Sequence, residues 1–162
     1  MGYGTSASPE TAYRRFLAAA KFGLPSAANM LAMLYEKGLG VPQDLVQAHH
    51  WYKRAAAHDD PEGLYNLGRV YEEGIGVVAD ADTAATFYLR AAEANQLDAQ
   101  ASLGYLYESG ALRDGVDYAE ALYWYKFASG LGNPKAANNY GAMFYFGREV
   151  EQDFEEAVVW FK

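Results

Sequence analysis

Apolar residues along the 162-residue chain fall at helical spacing, and the pattern itself repeats. The aromatic pairs Trp51-Tyr52, Phe87-Tyr88, Trp124-Tyr125 and Trp160-Phe161 stand 36, 37 and 36 residues apart. A further step of 36 back reaches Arg15-Phe16, a fainter copy. The position three before each pair is always alanine: Ala12, Ala48, Ala84, Ala121 and Ala157. A second set of columns keeps the same period. Leu31, Leu67, Leu103 and Tyr140 are each followed by a small residue, Ala32, Gly68, Gly104 and Gly141. Tyr35, Tyr71, Tyr107 and Phe144 come next, then Gly38, Gly74, Gly110 and Gly147. The first three columns share one helical stripe, in which the small residue admits a neighbouring helix and the aromatic fills the space beside it. The single extra residue lies between Gly110 and Asp117, where a loop absorbs it.

Helix punctuation runs in register with the columns. Gly38 and its equivalents end a first helix. Asp44, Asp80, Asp117 and Asp153, with Ser8 as the earliest equivalent, then cap a second one, and Gln47, Glu120 and Glu156 follow at capping-box spacing with Thr83 less suited. Gly23, Asp59, Asn95 and Gly132 share the column that closes the second helix, where a left-handed residue is best tolerated. Pro25, Pro61 and Pro134 open the next first helix, where a missing N–H costs little. The pattern therefore predicts nine helices, over about 9–21, 25–37, 44–57, 61–73, 80–93, 98–109, 117–129, 134–146 and 153–162. A period of this length means an all-α stack of antiparallel helix pairs, about four and a half repeats of 36 residues. The array occupies 8–162, with a lone helix at 9–21 and repeats at about 24–59, 60–95, 96–132 and 133–162, the last truncated. Residues 1–7 are expected to be a disordered or vector-derived N-terminus.

Composition narrows the function. About half the chain is hydrophobic, and alanine and tyrosine supply much of that, which suits close helix packing better than a sheet core. With 13 Lys and Arg against 21 Asp and Glu, the net charge of −8 argues against nucleic acid, whose binding rests on phosphate neutralisation. The absence of cysteine removes disulfides, thiolate nucleophiles and cysteine metal sites. No run approaches the roughly 18 apolar residues of a membrane span, so no direct membrane insertion is expected. Met1–Ser6 carries no signal-peptide pattern. The chain stops at Trp160-Phe161-Lys162 within an apolar helical pattern, as expected of a piece of a longer protein. The compartment stays unknown, with a periplasmic or secreted location open if a signal peptide was removed. Apolar open ends predict end-to-end self-association.

Candidate chemistry is thin. His49 and His50 are adjacent and point about 100° apart on a helix, so they do not readily share a metal. A His50/His58/Asp59 site is conceivable, but these residues read better as solvated surface polars. Glu72/Glu73 and Glu155/Glu156 have no geometry of an acid/base couple. Serine never stands in a Gly-x-Ser-x-Gly elbow, and no phosphate-binding glycine loop follows a strand. The aromatic pairs are explained by packing. The acidic run in 148–156 suits a helix N-terminus, where negative charge is favourable. The expectation is no catalytic residue, no cofactor and no metal.

The columns resemble the Sel-1-like repeat, a relative of the tetratricopeptide repeat. Leu67-Gly68-Arg69-Val70-Tyr71-Glu72-Glu73-Gly74-Ile75-Gly76-Val77 is similar to its first half, and Ala48-His49-His50-Trp51-Tyr52-Lys53-Arg54-Ala55-Ala56 to its second. The resemblance covers about 9–162. Departures are Ala32 for Gly, Tyr140 for Leu, Glu149 for a loop Gly, and the longer third loop 111–116. The resemblance implies a right-handed α/α superhelix whose first helices line a concave face, in a bacterial scaffold or adaptor. By analogy with tetratricopeptide grooves, that face would present Asn29, Met33 and Glu36, then Tyr65, Arg69 and Glu72. Beyond them come Tyr105 and Glu108 beside Ala101, then Asn138 and Tyr145 beside Ala142. Two readings of Glu36, Glu72 and Glu108 stand open, a carboxylate row for a positively charged peptide or a solvated face of repeat-consensus residues. The aromatics are the better anchors. The implied partner is a protein or peptide. The alternatives are a hydrolase of the β-lactam or cell-wall type, reported for cysteine-rich relatives whose paired cysteines this chain lacks, and a purely architectural spacer.

Overall fold

A computed structural model describes residues 8–57 and 59–161 of the chain. Among these residues there are nine α-helices and no strand, joined as successive helical hairpins. Residues 1–7, His58 and Lys162 lie outside the described residues, so the expected N-terminal segment and the His58 candidate are not described further. The chain divides into two compact units, one running to Asp80 and the other from Ala81.

In the first unit α1 (Pro9–Lys21) is a lone second-type helix, followed by α2 (Pro25–Lys37), α3 (Leu45–Ala56) and α4 (Pro61–Glu73). Each packs on the next, and the first-type helices α2 and α4 also touch. The second unit holds α5 (Ala81–Glu93), α6 (Leu97–Ser109), α7 (Tyr118–Gly130), α8 (Pro134–Phe146) and α9 (Phe154–Trp160). Its order of contacts is the same, with α6 against α8 as the first-helix pair.

The helix ends follow from the punctuation. Ser8, Asp44, Asp117 and Asp153 each accept a hydrogen bond from a backbone N–H of the following turn, satisfying a donor the helix cannot. Because Asp44 and Asp117 are themselves extended, α3 and α7 begin one residue later than the periodicity predicts. Three first helices gain caps that the pattern does not announce: Asp60, Gln96 and Asn133 bond the N–H of Gly63, Ala99 and Ala136. Gln96 is why α6 starts at Leu97 and not at 98. Gly38, Gly74, Gly110 and Gly147 end the first helices in the left-handed region. In the column after the second helices, Asp59 and Asn95 adopt positive φ as Gly23 and Gly132 do.

The loops between helices lock against earlier elements. A Cβ at Gly40 would stand 2.2 Å from the backbone of Pro9, and one at Gly76 2.2 Å from the carbonyl oxygen of Leu45. These glycines permit a contact no side chain allows. Glu149 takes the corresponding place in the last loop and still adopts φ 53, the left-handed form of its glycine counterparts. The longer loop 111–116 folds as a turn, with Gly115 N–H on the Leu112 carbonyl, and docks on α5 through Arg113 and Asp82.

The core is the columns seen end on. Ala48, Ala84, Ala121 and Ala157 are fully buried, as are Leu31, Leu103 and the tyrosines Tyr52, Tyr88 and Tyr125. At Gly104 a Cβ would lie 2.7 Å from the Tyr125 ring, so the small residue and the aromatic fit as a pair. Replacing either column with a larger side chain overpacks the interface, typically at about 1–3 kcal/mol.

Candidate functional site

The face expected to bind a partner is carried by α2 and α4 in the first unit and by α6 and α8 in the second. Asn29 is buried, and its Oδ1 has no hydrogen-bond partner. Met33, Glu36, Tyr65, Arg69, Glu72 and Glu108 are half-buried, whereas Tyr105, Asn138 and Tyr145 are exposed.

Glu36 and Glu108 belong neither to an open carboxylate row nor to a solvated face. In the first unit the Tyr52 hydroxyl, from the core of α3, donates to Glu36 Oε2 at 2.6 Å. Arg69 of α4 grips the same carboxylate with both terminal nitrogens, Nη2 to Oε2 at 2.6 Å and Nη1 to Oε1 at 3.1 Å. Arg69 also reaches Tyr52 Oη at 3.2 Å and Glu73 at 3.2 Å, so the basic residue expected in the groove is already held. Burial pushes the Glu36 carboxyl up, but the bonds from Arg69 and Tyr52 outweigh it and hold the group below its ordinary value of 4.5. Burial and the Glu36 carboxylate together raise Tyr52 far above the usual tyrosine range.

The second unit repeats the device with a different cation. Tyr125 Oη donates to Glu108 Oε2 at 2.7 Å, and burial followed by that bond raises the tyrosine well above its usual range. Arg148 pairs with Glu108 Oε1 from the loop after α8. Its guanidinium also lies 4.9 Å from the centre of the Tyr118 ring and 4.8 Å from that of Phe146. In each unit a carboxylate of one repeat is thus clamped by a tyrosine of its own second helix and an arginine of the next repeat.

Neither Tyr52, Tyr125 nor Arg148 was among the residues expected on this face. The signal for the tyrosines was present, since a glutamate recurs in one column and a tyrosine follows at 16 or 17 residues. Arg148 had none, because it stands in a loop column shared with no other arginine. The aromatic surroundings of Tyr145 were missed as well. Its ring lies 4.9 Å from Phe146 and 5.3 Å from Phe154, both exposed.

Other chemistry is modest. Among the described residues no group of three His, Asp or Glu is placed to hold a metal ion. The rings of His49 and His50 sit edge-on to Tyr71 and Trp51. Among the described residues no helix is long and apolar enough to cross a membrane.

Capped helix pairs that pack each on the next, with an alternating first-helix face, define a helical-hairpin repeat protein. The Sel1 repeat matches at 25–60, 61–96, 97–133 and 134–162, and the chain belongs to that family. It is similar in structure to a protective antigen of uropathogenic Escherichia coli that displays an SLR fold, with 31% identity and a TM-score of 0.89 over 98% of this chain. It is also similar to a Sel1 repeat protein from Oxalobacter formigenes, at 35% identity and a TM-score of 0.81 over 94% of this chain. A sel1 repeat protein from Klebsiella pneumoniae subsp. pneumoniae matches at 26% identity and a TM-score of 0.63, over 93% of this chain and 75% of that one. The chain spans 34% and 44% of the lengths of the first two. No protein of curated function matches it. Sel1 repeat proteins are generally non-enzymatic scaffolds for protein interactions.

Proposed function

We propose that this chain is a scaffold that holds an extended or helical segment of a partner protein on the first-helix face of its second unit. The observation that supports this is the exposure of Tyr105 and Tyr145, 52% and 47%, on the adjoining helices α6 and α8. Large aromatics left in water on a rigid scaffold are the side chains that most often anchor an interface. Asn138 lies between them in sequence and adds an amide that can pair with a partner's backbone. Since Glu36 and Glu108 are engaged within the protein, selectivity for a positively charged peptide is weak, and apolar or aromatic side chains on the partner supply the affinity.

The test is display of a random-peptide library against the chain, followed by titration of enriched peptides into Tyr105→Ala/Tyr145→Ala. The expected result is a loss of at least about tenfold in affinity with an unchanged circular dichroism spectrum. Equal affinity in the folded double variant sinks the proposal.

A further inference from the structure

We infer that His49 makes the packing of α3 on α4 acid-sensitive, so that mild acid loosens the junction between the repeats at 25–60 and 61–96. The position after each core alanine holds Tyr13, His49, Ala85, Leu122 and Val158, and His49 is the one member that titrates near neutral pH. In α1 the Tyr13 ring meets the Tyr35 ring edge-on at 5.7 Å, and the two hydroxyls bond each other at 2.9 Å. The next repeat makes the same edge-on pair from His49 and Tyr71, at 5.8 Å. Here, however, the imidazole Nε2 is buried and has no hydrogen-bond partner among the described residues.

A neutral imidazole can carry its proton on Nδ1 and leave a bare lone pair at Nε2. The imidazolium must seat an N–H at both nitrogens. Protonation therefore puts a charge and a donor without an acceptor into the α3–α4 packing, which is costly for a buried group. The charges that act on His49, from Lys53 one turn on and His50 beside it, are both positive. α4 presents the Tyr71 ring, and its Arg69 is held by Glu36. On α2, Tyr35 is bonded to Tyr13, and Glu36 to Tyr52 and Arg69. Asp44 is engaged in capping α3 through the Gln47 N–H. Burial first, and then repulsion by Lys53 and His50, hold the imidazole below its ordinary value of 6.5.

The stability carried by the neutral ring is thus complete above 6.5 and is lost as pH falls from there through the lower folded value. That window lies above the one in which Glu36 titrates, since the Glu36 carboxyl is held below 4.5. Tyr52 and Arg69 reach Glu36 from α3 and α4, so loosening these two helices also slackens the clamp.

The test begins with nuclear magnetic resonance titration of the imidazole in the native chain, where the expected His49 midpoint lies below 6.5. Hydrogen exchange, corrected for its intrinsic pH dependence, is expected to quicken in α3 and α4 between about pH 7.5 and about pH 5.5, and not in α7 and α8. In urea unfolding, the folding constant of the native chain should fall relative to His49→Leu by up to about tenfold per pH unit below about pH 6.5. His50→Leu, which alters the exposed neighbour, should follow the native chain. The midpoint and the exchange pattern are read without a variant, so they decide even if His49→Leu fails to fold. A midpoint at or above 6.5, as attraction of the imidazolium to the Tyr71 ring would give, overturns the inference. So does exchange that quickens equally in both units, or a folding constant that keeps a fixed ratio to that of His49→Leu.

Discussion

The clamp on Glu36 and the clamp on Glu108 solve one problem with different parts. In both units the carboxylate leaves the end of a first helix and takes a hydrogen bond from the core tyrosine of the second helix in its own repeat. Those two residues stand in fixed columns, so the repeat dictates their meeting. The cation does not follow the repeat. Arg69 arrives from the middle of α4 and binds in a fork, whereas Arg148 arrives from a loop, pairs through Nη1 and lies against Tyr118 and Phe146. The architecture thus specifies a half-buried negative charge, and any arginine of the following repeat that can reach it satisfies the requirement.

The largest break is expected from Glu36→Ala, which strands the Arg69 guanidinium and the Tyr52 hydroxyl. With both charged side chains only about a fifth exposed, the loss should be about 2 kcal/mol, below that of a fully buried pair, read from urea unfolding of the chain. Arginine-to-lysine exchange then separates the two clamps. Arg69→Lys loses the fork and should cost about 1 kcal/mol, while Arg148→Lys keeps a single contact and a cation over the rings and should cost about half that. The hydroxyls sharpen the comparison in reverse. Tyr125→Phe should destabilise by about 1 kcal/mol and Tyr52→Phe by less, because Glu36 keeps two bonds from Arg69 where Glu108 keeps one.

Acid tests the first clamp by itself. The folded Glu36 carboxyl is held below its ordinary value of 4.5, so its contribution is present above that value and fades as pH falls through the lower folded one. The stability gap between the native chain and Glu36→Gln should therefore narrow from pH 7 towards pH 3; a gap constant with pH would mean that the ion pair contributes nothing. The smallest effect concerns the last loop. Glu149 holds φ 53 without being glycine, and Glu149→Gly should raise the thermal midpoint slightly, by less than about 1 kcal/mol in stability.

The fold was legible because it is written many times over. An alanine column buried at Ala48, Ala84, Ala121 and Ala157, a capping aspartate and a closing glycine each carry a local physical reason, and each recurrence tests the last. Gln96 escaped because glutamine seldom caps, and it does so here by placing its side-chain oxygen 2.6 Å from the Ala99 N–H. The candidate face was legible only as a set of columns. Periodicity says which residues share a side of a helix, not which of them a neighbour has already taken. The bonds from Tyr52 and Tyr125 follow columns and could have been found, whereas Arg148 depends on a loop path that no column encodes.

The clamps have a consequence for how such an array comes apart. Each joins one repeat to the next, Glu36 in 25–60 to Arg69 in 61–96, and Glu108 in 97–133 to Arg148 in 134–162. In a one-dimensional chain of units, a bond that spans a junction sets the coupling between neighbours rather than the strength of any unit alone. Added salt softens a partly exposed ion pair and leaves the alanine and tyrosine packing inside each hairpin nearly untouched. High ionic strength should therefore broaden unfolding before it lowers helicity, turning an all-or-none collapse into a progressive unzipping.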